Sequence, residues 1–383
     1  MNRHKLIPVL ILFFSYLNCS VIVAGKNPDN NAVTFSVVGD VMQHDLQLES
    51  AYDSKCKCYD YMPVFAPVKT YLEKADVTIG NLETTLPGDK KKYSGYPEFG
   101  APDSLVTALK HVGFDILTTA NNHSMDKRKE GLKRTIQVLD KEGIAHLGTY
   151  ASHAEYQKNR IFQFEKKGIK FALLNYTYGT NEIPVPKDVV VNLIDEKKII
   201  EDIELARKIN PDVIIVLYHF GGEYLREPDS FQKKYVDLAF REGADIVLGG
   251  HPHVLQKFEI NPIKDKYGHT KNRLVIYSLG NFVSNQARRF TDGGIIFNFT
   301  VRRNEDDSLN IDTVSYVPVW VYVERKPEKV QFYVLPVEDY IKNDSKPKVA
   351  EIPMIRMKQF YDDTTLHLKE SLEKTALTYK NKQ

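Results

Sequence analysis

The sequence predicts an α/β fold in which helices cover β-sheets. Short runs of apolar and β-branched residues recur along the chain, and such runs are typical of buried strands. Between them lie segments whose apolar residues repeat at helical spacing. Because strand alternating with helix is the pattern of an α/β sandwich, we expect one large domain of this class, with or without an appendage.

Six predicted strands share one property, which is an abrupt end in polar residues. They cover residues 33–39, 75–80, 114–120, 213–218, 244–249 and 274–278. At or just beyond these ends stand residues of the types Asp, Glu, Asn and His. Because ligands of open α/β sheets gather at the carboxyl ends of strands, we expect a binding site at this edge.

The helices are predicted from capping residues and from apolar spacing. They cover residues 103–112, 129–142, 196–209 and 229–242. After about residue 290 the pattern changes to three strands and a charged helix, at 294–302, 308–318, 330–337 and 354–380. We expect residues 301–383 to form a C-terminal β extension and a terminal helix.

Residues 1–25 have the pattern of a secretory signal. Arg3 and Lys5 precede an apolar stretch over residues 6–17. This stretch is shorter than the ~20 residues that span a bilayer. We expect an exported protein that is periplasmic, at the cell surface or membrane-anchored through an uncleaved N-terminal segment. Cys19 resembles a lipoprotein attachment site only weakly, because an asparagine rather than a small residue precedes it.

The charge of the chain is nearly balanced, with 52 Lys and Arg against 50 Asp and Glu. Residues 1–25 contain two of the basic residues and none of the acidic ones, so the remainder has 50 of each. A neutral chain argues against a nucleic-acid-binding protein, which carries a basic excess. The composition, 42% hydrophobic and 27% charged, is that of a folded globular protein.

Cys56 and Cys58 are the cysteines that follow the predicted signal. Such a pair can be oxidised to a disulfide in an exported protein, but a bridge across one residue closes a small, strained ring. A thiol pair and a labile disulfide therefore both remain open. Two cysteines argue against a zinc site built from cysteine.

His251 and His253 are the first indication of a metal site. Two imidazoles separated by one residue on an extended segment can address two neighbouring ions, or one ion and a substrate. Gly249 and Gly250 let the backbone approach the site, and Pro252 fixes the turn. The alternative is a structural loop, and the pattern favours metal binding.

Asn122 and His123 follow the third predicted strand. An amide oxygen is a hard ligand without charge, and the histidine could donate a proton to a leaving oxygen. The alternative for the asparagine is a helix N-cap, and the two roles can coexist. Together with the other strand ends, the pair favours a site.

Asp40 and Glu83 are the predicted carboxylates, because two ions ~3.5–4 Å apart generally need a bridging anion. His219 follows a strand rich in Ile and Val, and its alternative role is a satisfied core histidine. Glu223, four residues later, is a candidate catalytic carboxylate at the rim. The candidate ligands are Asp40, Glu83, Asn122, His219, His251 and His253. This mixture of nitrogen and oxygen suits one or two divalent Mn, Zn or Fe ions rather than Ca²⁺.

Six motifs fall at these strand ends. They are Gly39-Asp40-Val41-Met42, Asn81-Leu82-Glu83, Ala120-Asn121-Asn122-His123, His219-Phe220-Gly221-Gly222-Glu223-Tyr224, Gly250-His251-Pro252-His253-Val254 and Tyr277-Ser278-Leu279-Gly280-Asn281-Phe282. In this order and combination they resemble the CapA family, bacterial capsule-synthesis proteins associated with poly-γ-glutamate. The resemblance implies a metallophosphatase-like domain over residues 33–300, a four-layer α/β/β/α sandwich.

The resemblance also implies roles for the carboxylates. Asp40 would bind the first ion together with His253, and Glu83 would take the position of the bridging aspartate of ordinary metallophosphoesterases. The chain departs from the general pattern because no Asp-x-His motif begins at Asp40. His44 is a candidate replacement for the missing histidine, but its spacing differs, which puts occupancy by two ions in question.

The same resemblance implies the composition of the second ion's site. Asn122, His219 and His251 would bind that ion. His123 would be the general acid, or would face the phosphate.

The resulting hypothesis is an exported metal-dependent hydrolase or transferase of capsule synthesis. It would use metal-activated water on a phosphoester bond or on a γ-glutamyl or other amide bond. Its partners would be an anionic polymer or its precursor and capsule-assembly membrane proteins. The alternative is a non-catalytic factor that holds the polymer during assembly or export. A third, weaker interpretation is a degenerate metal site, and no serine-nucleophile motif in a strand–helix context competes with these.

Overall fold

The computed structural model describes residues 30–342 and 349–380 of the chain. The predicted signal, residues 1–25, and Cys19 within it lie outside the described residues. Within the described ranges, every helix is too short or too polar to span a bilayer.

The strands of the described residues are numbered in chain order. They are β1 (Ala32–Met42), β2 (Tyr52–Asp53), β3 (Cys58–Tyr59), β4 (Val77–Glu83), β5 (Ile116–Thr118), β6 (Ala145–Leu147), β7 (Thr149–Tyr150), β8 (Phe162–Lys166), β9 (Ile169–Thr177), β10 (Val190–Val191), β11 (Val213–His219), β12 (Ile246–Gly250), β13 (Phe258–Lys264), β14 (Thr270–Ile276), β15 (Asn281–Val283), β16 (Gly293–Arg303), β17 (Leu309–Arg325) and β18 (Val330–Pro336). The six strands predicted before residue 290 are confirmed as β1, β4, β5, β11, β12 and β14.

The helices are numbered in the same way. They are α1 (Asp45–Ala51), α2 (Met62–Phe65), α3 (Lys69–Leu72), α4 (Ser104–His111), α5 (Arg128–Glu142), α6 (His153–Asn159), α7 (Glu196–Lys208), α8 (Ser230–Glu242), α9 (Val337–Lys342) and α10 (Glu351–Lys380). The predicted helices are confirmed as α4, α5, α7, α8 and α10. Helix α8 shows why such predictions succeed, because Asp229 and Gln232 form a capping box at its start.

The first sheet has the strand order β18-β17-β16-β1-β4-β5-β6, and β15 also pairs with β1. Strands β1, β4, β5 and β6 are parallel, so their carboxyl ends meet at one edge. The three strands predicted after residue 290 are β16, β17 and β18, and they extend this sheet with antiparallel pairing. The predicted division at residue 300 falls within β16 and stays a prediction.

The second sheet has the order β13-β14-β12-β11-β9-β8. Its central strands β9, β11, β12 and β14 are parallel, so their carboxyl ends also lie at one edge. His219 at the end of β11 is in register with Gly250 at the end of β12. The strand pairing therefore brings the His219 segment beside the segment that carries His251 and His253.

The two sheets face each other across the main hydrophobic core. Phe35 of the first sheet packs edge-on against Phe171 of the second, with ring centroids 5.1 Å apart. On the outer face of the first sheet, a second core includes Leu109 of α4. On the outer face of the second sheet, a third core includes Ile203 of α7 and Val236 of α8. The order helix, sheet, sheet, helix confirms the predicted four-layer α/β/β/α sandwich.

Cys56 and Cys58 are joined by a disulfide bond. Of the two states that the sequence leaves open, the structure therefore contains the bridge. The bond lies in the exposed hairpin formed by β2 and β3.

Candidate metal centre

The predicted ligands meet where the carboxyl edges of the two sheets face each other. The first sheet and its loops supply oxygen ligands, from Asp40, Glu83 and Asn122. The second sheet supplies imidazole nitrogens, from His219, His251 and His253. All six side chains are buried. The centre therefore exists only when both sheets are in place.

Glu83 lies at the middle of this arrangement. One group of potential ligand atoms comprises Glu83, His251 and His253, and another comprises Asp40, Glu83 and His219. Within each group the atoms lie within 4.8 Å of one another, and the carboxylate belongs to both groups. This is the position that a bridging ligand between two ions would occupy.

The surroundings of Glu83 fit a metal ligand. Both carboxylate oxygens are buried and accept no hydrogen bond from any described residue. The nearest histidine nitrogens are Nε2 of His219, 3.4 Å from Oε1, and Nε2 of His253, 4.0 Å from it. Because a buried carboxylate is costly unless it is paired or coordinates a metal, the donor set fits a divalent cation.

Asp40 is held in its ionised form. Burial by itself would raise the pKa of this carboxyl, but the hydrogen bond with His253 and the charge of His219 hold it well below its usual range. The side-chain amide of Asn81 also donates to Oδ1 at 2.8 Å. An ionised carboxylate is the form that can bind a cation.

His253 balances part of this negative charge. Burial would lower its pKa, but the charge of Glu83 and the hydrogen bond with Asp40 raise the pKa of His253 to about 9. Its Nδ1 lies 3.0 Å from the side-chain oxygen of Asn281 and 3.2 Å from Oδ2 of Asp40. Loss of the proton on Nε2, with a donor hydrogen kept on Nδ1, would leave Nε2, on the side of Glu83, as the nitrogen that can bind a metal.

His251 differs from His253 in charge state and in environment. Burial, followed by the positive charges of His219 and His253, lowers the pKa of His251 well below its ordinary value. Its Nδ1 is buried and has no hydrogen-bond partner among the described residues. A neutral imidazole with an unused nitrogen is a suitable metal ligand.

The backbone around these histidines is strained. His251 has a φ of +97° and His253 a φ of +59°, which is uncommon for residues other than glycine. Such conformations cost about 1–3 kcal/mol each and cluster at functional sites. The predicted close approach of the backbone is also confirmed, because a Cβ at Gly250 would lie 2.9 Å from Oδ1 of Asp40.

Asn122 contacts His219 directly, with 2.8 Å between its Oδ1 and Nε2 of the histidine. The alternative role as the N-cap of the next helix does not apply, because α5 begins at Arg128. His219 is buried, but its neighbours Asp40, Glu83 and Asn122 are those of a site rather than of an apolar core. The structure therefore brings both residues to the place that the motifs predict.

His123 is positioned by a carboxylate that the sequence analysis did not identify. Its Nδ1 lies 2.6 Å from Oδ2 of Asp126, and both side chains are buried. The ring of Phe99 packs on the imidazole, with centroids 4.3 Å apart. If Nδ1 donates to Asp126, Nε2 is free to hold or transfer a proton. The spacing His123-x-x-Asp126 within a buried turn is the signal that could have identified the pair.

Two other predicted positions lie outside the ligand groups. Glu223 is exposed at the rim, and its role as a catalytic residue stays a prediction. His44 is the N-cap residue of α1, and its Nδ1 accepts a hydrogen bond from the backbone N–H of Asn285 at 3.2 Å. Burial lowers the pKa of His44 to about 4. His44 belongs to neither group of potential ligand atoms, and its role as a replacement for the missing histidine stays a prediction.

Asn81 and Asn281 are further residues that support the ligands. Asn81 contacts His219 as well as Asp40, with its Nδ2 3.2 Å from Nδ1 of the histidine. Asn281 is in register with Asp40 across the β1–β15 pair and contacts His253. Both residues belong to motifs at strand ends, and this position in the sequence is the signal that could have identified them as part of the site.

The fold and the site define a four-layer α/β-sandwich protein with a candidate centre for one or two divalent metal ions. A family model described as "Bacterial capsule synthesis protein PGA_cap" matches residues 34–286. The chain therefore belongs to this family of bacterial capsule synthesis proteins, which confirms the predicted resemblance.

Two relatives extend the similarity over most of the chain. "Capsule biosynthesis protein CapA" of Bacillus anthracis is 30% identical over 324 residues, which cover 80% of this chain and 73% of the relative. "PGA biosynthesis protein CapA" of Bacillus subtilis (strain 168) is 26% identical over 321 residues, which cover 79% of this chain and 78% of the relative.

A solved structure of NAD nucleotidase (NadN) from Haemophilus influenzae is similar at 13% sequence identity, with a TM-score of 0.49. The match covers 87% of this chain and 62% of the nucleotidase chain.

Proposed function

We propose that the protein is a metal-dependent hydrolase or transferase of capsule synthesis that acts on a phosphoester bond or on a γ-glutamyl or other amide bond. The observation that carries the proposal is the carboxylate of Glu83. It is buried without a hydrogen bond among the described residues, and it is shared by two groups of potential ligands.

The residues of the site would have two roles, metal binding and proton transfer. Asp40, Glu83, Asn122, His219, His251 and His253 would hold one or two divalent ions, of which Mn, Zn and Fe suit the donor set. Such an ion supplies Lewis acidity and lowers the pKa of a coordinated water to about 7 in favourable cases. His123, oriented by Asp126, would hold the proton that the leaving group needs.

The substrate is proposed to be an anionic polymer of the poly-γ-glutamate type or its precursor. The name of the B. subtilis relative refers to PGA biosynthesis, and that of the B. anthracis relative to capsule biosynthesis. We further propose that the protein is exported and works beside capsule-assembly membrane proteins. The N-terminal pattern of residues 1–25 supports export.

The test is elemental analysis of the purified protein combined with an activity screen on phosphodiesters and γ-glutamyl peptides. We expect bound transition metal and turnover in the wild type. The double variant His251→Ala/His253→Ala should lose both. His111→Ala, an exposed histidine at the end of α4, is the matched control and should keep both.

Two outcomes would overturn the proposal. Full turnover in a metal-free double variant would exclude the metal-dependent mechanism. Bound metal without turnover on either substrate class, together with saturable polymer binding, would favour the non-catalytic assembly or export factor.

A further inference from the structure

Glu223, Tyr224 and Arg288 form a charged and aromatic patch outside the ligand groups. Tyr224 is 43% exposed, and the centroid of its ring lies 6.3 Å from that of His253. The guanidinium carbon of Arg288 lies 5.7 Å from the centroid of the Tyr224 ring. Glu223 and Arg288 are both exposed. The patch thus lies beside one predicted metal ligand and faces solvent.

The backbone fixes this patch against the histidine segment. The N–H of Tyr224 donates to the carbonyl oxygen of Pro252 at 2.8 Å. Tyr224 has a φ of +65°, a left-handed conformation that is an outlier for a bulky residue. Strain of this kind persists where the surrounding structure holds it, often at ligand sites. The position of Tyr224 is therefore determined by the loop that links the His219 strand to the site.

Glu223 and Arg288 carry opposite charges, and neither charge is used in an ion pair among the described residues. Within the described ranges neither Glu223 nor Arg288 has an ion-pair partner within 4.0 Å, although both flank the same tyrosine. The adjacent Arg289 differs, because it forms a salt bridge with Asp363 at 2.8 Å. The carboxylate of Glu223 and the guanidinium of Arg288 both lie beside Tyr224 and do not pair with each other. Together they can bind a ligand that carries one positive and one negative charge.

Tyr178 forms a second aromatic wall. Its ring is 42% exposed, and its centroid lies 4.5 Å from that of His251. Tyr178 and Tyr224 thus each contact one of the two histidines of the His-Pro-His segment. Exposed tyrosine rings at the mouth of a buried polar site provide apolar surface for the uncharged part of a ligand.

We propose that Glu223 and Arg288 bind the α-ammonium and the α-carboxylate of an amino-acid head group, with Tyr224 between them. This inference rests on the proposed function and specifies its substrate class as the amino end of a γ-linked glutamyl chain. In such a chain, the amino-terminal residue alone carries both charged groups on one carbon atom. Its γ-carbonyl follows two methylene groups, so the proposed binding mode would place the first amide bond on the side of Tyr224 where His253 lies.

Calorimetric titration of the metal-loaded protein tests the inference with three probes. These are a γ-linked glutamyl pentamer, the same pentamer acetylated at its amino end, and free glutamate. We expect the acetylated pentamer to bind about two- to fivefold more weakly, the range of one lost charge contact at an exposed position. Weaker binding of free glutamate would identify the chain end, rather than the single amino acid, as the ligand.

Variants assign the two charges. Glu223→Gln should weaken binding of the free pentamer about fivefold and abolish the distinction from the acetylated one. Arg288→Gln should weaken both pentamers by the same factor, because both keep the α-carboxylate. Glu328→Gln and Arg325→Gln, which change exposed charges elsewhere, are the matched controls and should bind like the wild type.

Equal affinity of the wild type for the two pentamers, absence of binding, or retained discrimination in Glu223→Gln would overturn the inference. Bound metal and turnover without discrimination would leave the proposed function standing and reject the head-group site. Discrimination in a protein without metal-dependent turnover would reject the proposed function and retain a binding site for the chain end.

Discussion

His123 and Asp126 form a buried pair, in which Nδ1 of the imidazole lies 2.6 Å from Oδ2 of the carboxylate. Asp126→Asn keeps the shape of the pair but removes the charge that orients the imidazole. Residues that support catalytic or metal-binding groups in this way typically contribute about 10–100-fold. We expect turnover to fall by this factor while the metal content, measured by elemental analysis, stays unchanged.

The control for this variant is Asp140→Asn. Asp140 pairs with His146 at 3.1 Å and is 68% exposed, far more than Asp126. Unchanged turnover in Asp126→Asn would show that the buried pair is structural and has no part in the reaction.

Removal of metal should destabilise the wild type and leave a Glu83 variant unaffected. A ligand that binds only the folded state stabilises it by about 2.7 kcal/mol at a concentration 100 times its Kd. We expect a chelator to lower the Tm of the wild type, and Glu83→Gln to show no chelator response. Glu98→Gln, at an exposed salt bridge with Arg128, should respond like the wild type. A wild-type Tm that is the same with and without the chelator would contradict the proposal of a metal centre.

Gly250→Ala should weaken metal binding without unfolding the protein. The added methyl group would lie 2.9 Å from Oδ1 of Asp40, so the carboxylate must move. We expect an affinity for Mn²⁺ or Zn²⁺ about tenfold lower, measured by calorimetry. Gly179→Ala is the control, because nothing lies within 4 Å of its added Cβ. Equal affinities in the two variants would mean that Asp40 contributes little to binding.

Phe171→Ala should destabilise the interface between the two sheets. The ring is buried and packs against Phe35 across the core, and large-to-small changes at such positions cost about 3–5 kcal/mol. Urea unfolding should show this loss as a lower midpoint. Phe231→Ala, at a ring that is 39% exposed, should cost far less. Similar losses in both variants would argue against a continuous core between the sheets.

The positions of the candidate ligands could be predicted from the sequence because their signals are local. Each candidate ligand stands at or just after the end of an apolar run, and parallel pairing alone then brings Asp40 close to Glu83 and His219 close to His251. The helix bounds could also be predicted from the sequence, because capping residues such as Asp229 and Gly243 mark the ends of a helix.

The features that were missed have signals that are weaker than those of the candidate ligands. Strand β9 is central in the second sheet, but its sequence ends in Asn175-Tyr176-Thr177 and supplies no candidate ligand. Asp126 lies three residues after His123, but this spacing alone does not show that the carboxylate is buried against the imidazole. The exposed position of Glu223 follows from the path of a loop, which the spacing from His219 does not determine.

One sheet supplies the oxygen ligands and the other supplies the nitrogen ligands, with the Phe35–Phe171 contact in the core between them. The thickness of that core therefore also helps to set the distance between the candidate oxygen ligands and the candidate nitrogen ligands. A substitution that changes the packing far below the edge alters the gap across which carboxylates and imidazoles meet. In the proposed metal centre, a change in core volume would therefore also change how well a cation of a given size fits between the two sheets.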